Sequence, residues 1–181
     1  VTAPSGQGLN SKQLAQSLFD YVQQVYAVAT DTAPLPDRQI IAAGDARLIA
    51  WDCEQFSVSL TGIDIDVPQQ TPNTPAFLKA TALRHVALTV QVIRCTAPMP
   101  PPDALGAQKL PKAEDITAVG LQAMRDAGLV SQALFEWTTR AVEPDVPGGI
   151  LAAGVGAILP VGPQGGFAGV EGQVVVSAAL V

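Results

Sequence analysis

Few side chains in this sequence could do covalent chemistry, and their spacing does not gather them. His85 is the one histidine, and Cys53 and Cys95 are the two cysteines. Cys53 and His85 could form a thiol–imidazole pair, in which the ring takes the thiol proton and leaves a nucleophilic thiolate. Nothing local brings them together, and the signatures that flank cysteine hydrolases are missing. His85 reads instead as a strand residue facing solvent or a neighbour. Neither cysteine sits in a C-x-x-C pair. Both read as reduced, buried thiols that behave as small hydrophobes, and the sequence leaves open whether they pair.

Acidic residues group around one stretch: Asp52, Glu54, Asp64 and Asp66. Asp64 and Asp66 share one face of an extended segment and could hold a hard cation. Val67 and Pro68 follow where a calcium loop would carry further acids and a glycine. A solvated acidic edge is expected, which also discourages unwanted strand pairing. GPQGGFAG, Gly162–Gly169, lacks the Lys-Ser/Thr of a phosphate loop and the strand-to-helix setting of a dinucleotide turn. The expectation is therefore no catalytic residue, no cofactor, no metal and no enzyme activity.

The elements that would position these residues follow from hydrophobic period. Residues 1–10 read as a flexible arm. Asn10 or Ser11 caps a helix over 11–29, with Leu14, Leu18, Val22, Val25 and Ala29 on one stripe. Arg38–Ala43 reads as a short strand. Over 50–64, Phe56, Val58 and Leu60 alternate with Gln55, Ser57 and Ser59, the pattern of a half-buried strand. A polar, proline-rich loop spans 62–82. Over 84–96 the alternation is soft, so a strand partly covered on both faces is expected. Pro111, Glu114 and Asp115 open a helix, which Gly128 is expected to break into 112–127 and 129–140. Nine glycines and four prolines fall between Glu143 and Gln173, so 143–168 reads as a loop with at most a short strand at 157–161. QVVVSAALV closes as a strand. The order α-β-β-β-α-β predicts a single α+β domain over 11–181: a mainly antiparallel sheet of four to five strands flanked by two or three helices.

Composition narrows the function. Charged residues are 14% of the chain, against about 25% in ordinary domains, so part of the surface is expected to be covered by partners. Net charge is −6 and no run of Lys or Arg occurs, which disfavours a grip on DNA but suits a surface that DNA slides past. The tract from Gly148 to Val181 carries one charged side chain, Glu171. Its stretch 148–163 is broken by glycine and proline and is shorter than the ~20 apolar residues of a membrane span. The N-terminal residues lack the basic start and apolar run of a signal peptide.

Five segments, in order, carry a resemblance: LPDRQI, WDCEQFSVSLTGI, ALTVQVIRCTAPMPPP, GLQAMRDAGLVSQAL and GPQGGFAGVEGQVVVSAAL. Together they resemble the tail terminator proteins of long, flexible-tailed actinobacteriophages. The shared features are a cysteine followed by Glu-Gln in a strand, a valine-rich strand ending in Arg-Cys, a small-residue helix with an Asp-Ala pair, and a turn at Gly165–Gly169 before the last strand. The resemblance covers about residues 12–181; the loops at 62–82 and 143–163 are not matched. It implies a homo-hexameric ring in the virion neck, assembled in the host cytoplasm. Such a ring caps the tail tube, ends its polymerisation and joins it to the head-tail stopper protein, with DNA passing through the pore. Its partners would be itself, the tail tube protein and the stopper. On this view Gly148–Phe167 lies against a neighbouring subunit or ring, and loops 66–80 and 143–168 order on docking. The rivals are another neck or tail-tube protein, a thiol hydrolase using Cys53 and His85, and a module that adds a strand to a partner.

Overall fold

The computed structural model of the chain describes residues 10–30, 34–44, 54–66, 83–96, 104, 111–142, 150–164 and 167–179. The expected arm at 1–10, apart from Asn10, and most of the 62–82 loop lie outside them. The described elements are α1 (Ser11–Val28), β1 (Gln39–Ala43), β2 (Gln55–Asp66), β3 (Leu83–Cys95), α2 (Ala113–Ala141), β4 (Ile150–Gln164) and β5 (Phe167–Ala179). The strands form one five-stranded sheet in the order β1-β2-β3-β5-β4. Only β1 and β2 run parallel; the other pairs are antiparallel. The fold is α+β, as expected.

Local chemistry explains both helices. Asn10 caps α1, its side-chain oxygen accepting from the Lys12 N–H at 3.0 Å. Leu14, Leu18, Val22 and Val25 then fall on one buried stripe. Glu114 and Asp115 sit in the first turn of α2, where the helix dipole favours anions. Both helices cover the sheet face that carries Phe56, Val58, Leu88, Val90, Val92, Val170 and Val174, all buried. α1 lies over β1 and β2, and α2 over β5 and β4. The Phe19 and Phe56 rings stack at 4.8 Å beneath α1.

Two expectations are corrected. Gly128 does not break α2, which runs unbroken for 29 residues. A mid-helix glycine costs about 1 kcal/mol, less than the roughly 1.5–3 kcal/mol gained by burying each of Val130, Leu134 and Trp137. The expected loop at 143–168 is mostly strand: β4 spans 15 residues along β5. Ladder bonds to the valine-rich partner Val174–Val176 outweigh the weak strand preference of glycine. Three register shifts accommodate the irregular residues, and Pro160 is tolerated because β4 is an edge strand.

The glycines differ sharply in what they tolerate. A Cβ on Gly169 would collide with the Val92 carbonyl oxygen, whereas one on Gly128 would meet nothing within 4 Å. Gly169→Ala is expected to cost about 3 kcal/mol or more through overpacking. Gly128→Ala is expected to stabilise by roughly 0.5–1 kcal/mol through helix propensity. Urea unfolding of the two variants checks the opposite signs.

Candidate interaction surface

The feature that sets the surface lies inside. Asp126 on α2 has no exposed area, and Arg94 at the end of β3 meets it twice: Nε to Oδ2 at 2.7 Å and an Nη nitrogen to Oδ1 at 3.0 Å. This two-pronged geometry is the strong form of an Arg–carboxylate pair. The third Arg94 nitrogen donates to the Pro34 carbonyl at 3.0 Å. From α1, the Tyr26 hydroxyl donates to Asp126 Oδ1 at 3.0 Å, and Gln122 reaches the same oxygen at 3.3 Å. One carboxylate thus ties β3, α1 and α2 together. Burial by itself would lower the Arg94 pKa, but the bonds and charge of Asp126 outweigh it and raise it. Burial, then the Asp126 charge and hydrogen bond, push the Tyr26 pKa well above its usual value.

Beyond this clamp α2 overhangs the sheet. None of its residues before Asp126 is buried. Between the overhang and the β4–β5 ribbon lies a groove of about 1080 Å³, lined by Ile116, Val119, Ala123, Ile158, Pro160 and Val170 among others, with Asp115 the one charged residue among its described lining. That exceeds the range of about 300–1,000 Å³ for small-molecule sites and suits a segment of polypeptide. Val119, Ala123 and Ala168 also line a smaller recess against Arg94 and Asp126, so the clamp closes one end of the groove.

Apolar side chains are exposed both on its walls, at Met124 and Leu159, and outside it, at Phe135 and Leu151. Met124 is 73% exposed, Phe135 67%, Leu151 60% and Leu159 55%. β4 itself, ILAAGVGAILPVGPQ, carries no charge, and among the described residues no strand pairs with its outer edge. Natural edge strands are usually short, charged or covered. A long uncharged edge beside an apolar groove makes this face the candidate interaction surface. The sequence pointed to this tract through its low charge but not to its strand form, and it gave no sign of the clamp.

Of the described residues singled out for chemistry, His85, Asp64 and Asp66 line neither the groove nor the recess, and Cys95 lines only the recess beside Arg94 and Asp126. His85 faces away from the helices, its Nδ1 2.8 Å from Ser177 Oγ. Register puts Asp64, His85 and Ser177 in a row across β2, β3 and β5, the residue types of a hydrolase triad. Asp64, however, accepts from the Ile65 N–H at 2.8 Å. The backbone N–H groups beside Ser177 lie in a paired strand, where the ladder competes with any role as oxyanion donors. Cys95 is disulfide-bonded, which corrects the expectation of two reduced thiols; Cys53, the other cysteine, lies outside the described residues, as does Asp52. β2 starts opposite the last residues of β3, Gln55 pairing with Ile93. Asp64 and Asp66 are exposed, as expected of an acidic edge. Among the described residues no group of three or more His, Cys, Asp or Glu could hold a metal, and no helix is long and apolar enough to cross a membrane.

On the same outer face, Ser57, Gln91 and Glu171 stand opposite one another, with Gln91 Nε2 donating to Glu171 Oε2 at 2.6 Å. The side chains of Gln55, Ser57 and Gln91 are buried yet keep polar atoms without a hydrogen-bond partner. Buried water ordinarily satisfies such groups.

The clamp makes stability depend on pH. A tyrosine whose folded pKa is raised stabilises the fold fully below its unfolded pKa of about 10, and that contribution is lost as pH rises from there toward the folded value. Tyr26→Phe is expected to cost about 1.5–3 kcal/mol at pH 8, as for a hydrogen bond to a charged group, and to cost less at pH 10.5. Urea unfolding at the two pH values checks the narrowing. No protein-family model and no curated protein matches this chain.

Proposed function

We propose that this chain is a structural subunit that works by self-association: a ring-forming protein of a phage neck, of the tail-terminator kind its sequence resembles, that caps the tail tube. The observation that carries the reading is the uncharged 15-residue edge strand β4 beside the apolar groove under α2. Such a surface, left open, invites aggregation, so a chain built this way needs a partner for it. A closed ring meets that need without open-ended growth. The net charge of −6 is compatible with a pore through which DNA moves without adhering. No reaction is needed: one face of the ring would match the tube and the other would present a different surface to the stopper.

The test uses the purified chain and growing tail tubes. The wild-type chain is expected to form a ring, seat on tube ends and halt elongation, as seen by electron microscopy. Leu151→Lys with Leu159→Lys, both at exposed positions, should keep the far-ultraviolet circular dichroism of the parent and fail to cap. Tubes that elongate unhindered with the wild-type chain present would overturn the neck assignment.

A further inference from the structure

We infer that copies of this chain join head to tail, the β4–α2 surface of one against the β1–β2 end of the next. This rests on the self-association proposed above and names the second half of the contact. β1 ends at Ala43, opposite Leu60. From Gly62 to Asp66, β2 therefore has no neighbour on that side among the described residues. This far edge carries its own apolar patch. Ile41 pairs with Val58 and Ile63 with Val86; both partners are core residues. The two isoleucines, and Ile65 two residues on, therefore face the helix side of the sheet, yet they are 38%, 48% and 52% exposed.

Among the described residues the sheet thus has two open strand edges at its opposite ends, each with exposed apolar side chains on or beside it. β1 reads QIIAA and, like β4, carries no charge. A single head-to-tail contact covers both. Two-fold pairing of β4 with β4 would leave the isoleucines in water. Two-fold pairing of the β2 edges would set Asp64 and Asp66 against their own copies, and like charges facing across strands are unfavourable. Against β4 those carboxylates meet an uncharged strand. The 15 residues of β4, with the exposed flank of α2, approach the roughly 20–30 residues a side of a stable interface. Head-to-tail contacts repeat until rotation closes them.

Two half-blocked variants test this. Leu151→Lys with Leu159→Lys blocks the β4 side; Ile63→Lys with Ile65→Lys blocks the far edge. Each alone is expected to run as a monomer by light scattering, with the parent's circular dichroism. Mixed one to one, they still share one intact contact and should form a dimer of twice the 18.7 kDa chain mass and nothing larger. Should the double isoleucine variant misfold, Ile65→Lys alone serves in its place. Full-sized assembly by the far-edge variant alone, or a mixture of folded variants that stays monomeric, would overturn the inference. A mixed dimer from a chain whose wild-type rings never seat on tail tubes would uphold head-to-tail joining and sink the neck reading. Capped tubes together with rings from the far-edge variant would do the reverse.

Discussion

A carboxylate with no exposed surface sits where three elements meet, and the molecule is arranged around keeping it satisfied. Removing an aspartate from water costs several kcal/mol, so Asp126 cannot be buried alone. Arg94 binds both of its oxygens, Tyr26 adds a third element, and Gln122 helps from the preceding turn. Breaking such a pair from one side is strongly destabilising, whereas replacing it wholly with apolar residues is often neutral. The role assigned to it here is therefore geometric. An apolar contact would let α2 slide along the sheet; a two-pronged ion pair to the end of β3 fixes both the angle and the register of the helix.

That fixed angle is what holds the groove open. The part of α2 before Asp126 contributes no buried residue, so packing does not hold it. It stands off the β4–β5 ribbon because the helix is rigid and is anchored from Asp126 onward, where Val130, Ala133, Leu134 and Trp137 fill the core. The polar core contact and the apolar surface are thus two ends of one lever. On α1, Tyr21 donates to Glu136 at 2.7 Å, and the Trp137 indole donates to Ser17 at 3.2 Å. These bonds hold the other half of α2 against a helix that is itself packed on β1 and β2.

Much of this was legible in the residues, and the misses have physical causes. The stripe Leu14–Val25 and the alternation at Phe56–Leu60 are strong because burial on one face enforces a period. The fold class followed from the order of such segments. β4 was not legible: its glycines and prolines carry the local signature of a loop, and only pairing with Val174–Val176 makes it a strand. Gly128 misled for the same reason, since its neighbours' burial overrides its own preference. The clamp left no trace because Tyr26, Arg94 and Asp126 are far apart in sequence, and a single Arg or Asp carries no period. The soft alternation over 84–96 implied cover on both faces, and Gln91 is buried; Gln55 and Ser57 suggested a solvated face, yet they are buried too.

That last mismatch bears on how the chain can associate. A sheet offers two faces and two edges. The helix face of this one is filled by the core. On the opposite face the central strands are buried as well, through Gln55, Ser57, Ser59, Thr89, Gln91 and Ile93, so stacking a partner there would compete with contacts already made. Among the described residues, what stays open is the pair of edges and the outer flank of α2, and these are where the exposed isoleucines, leucines, Met124 and Phe135 collect. A charge content of 14% then has a direct reading. Charge is missing from β1 and β4, where it would ordinarily guard an edge, and it persists on the β2 tip at Asp64 and Asp66 and in the first turn of α2 at Glu114 and Asp115. Among the described residues the surface is guarded at its margins and open along its edges, the arrangement that the proposed self-association uses.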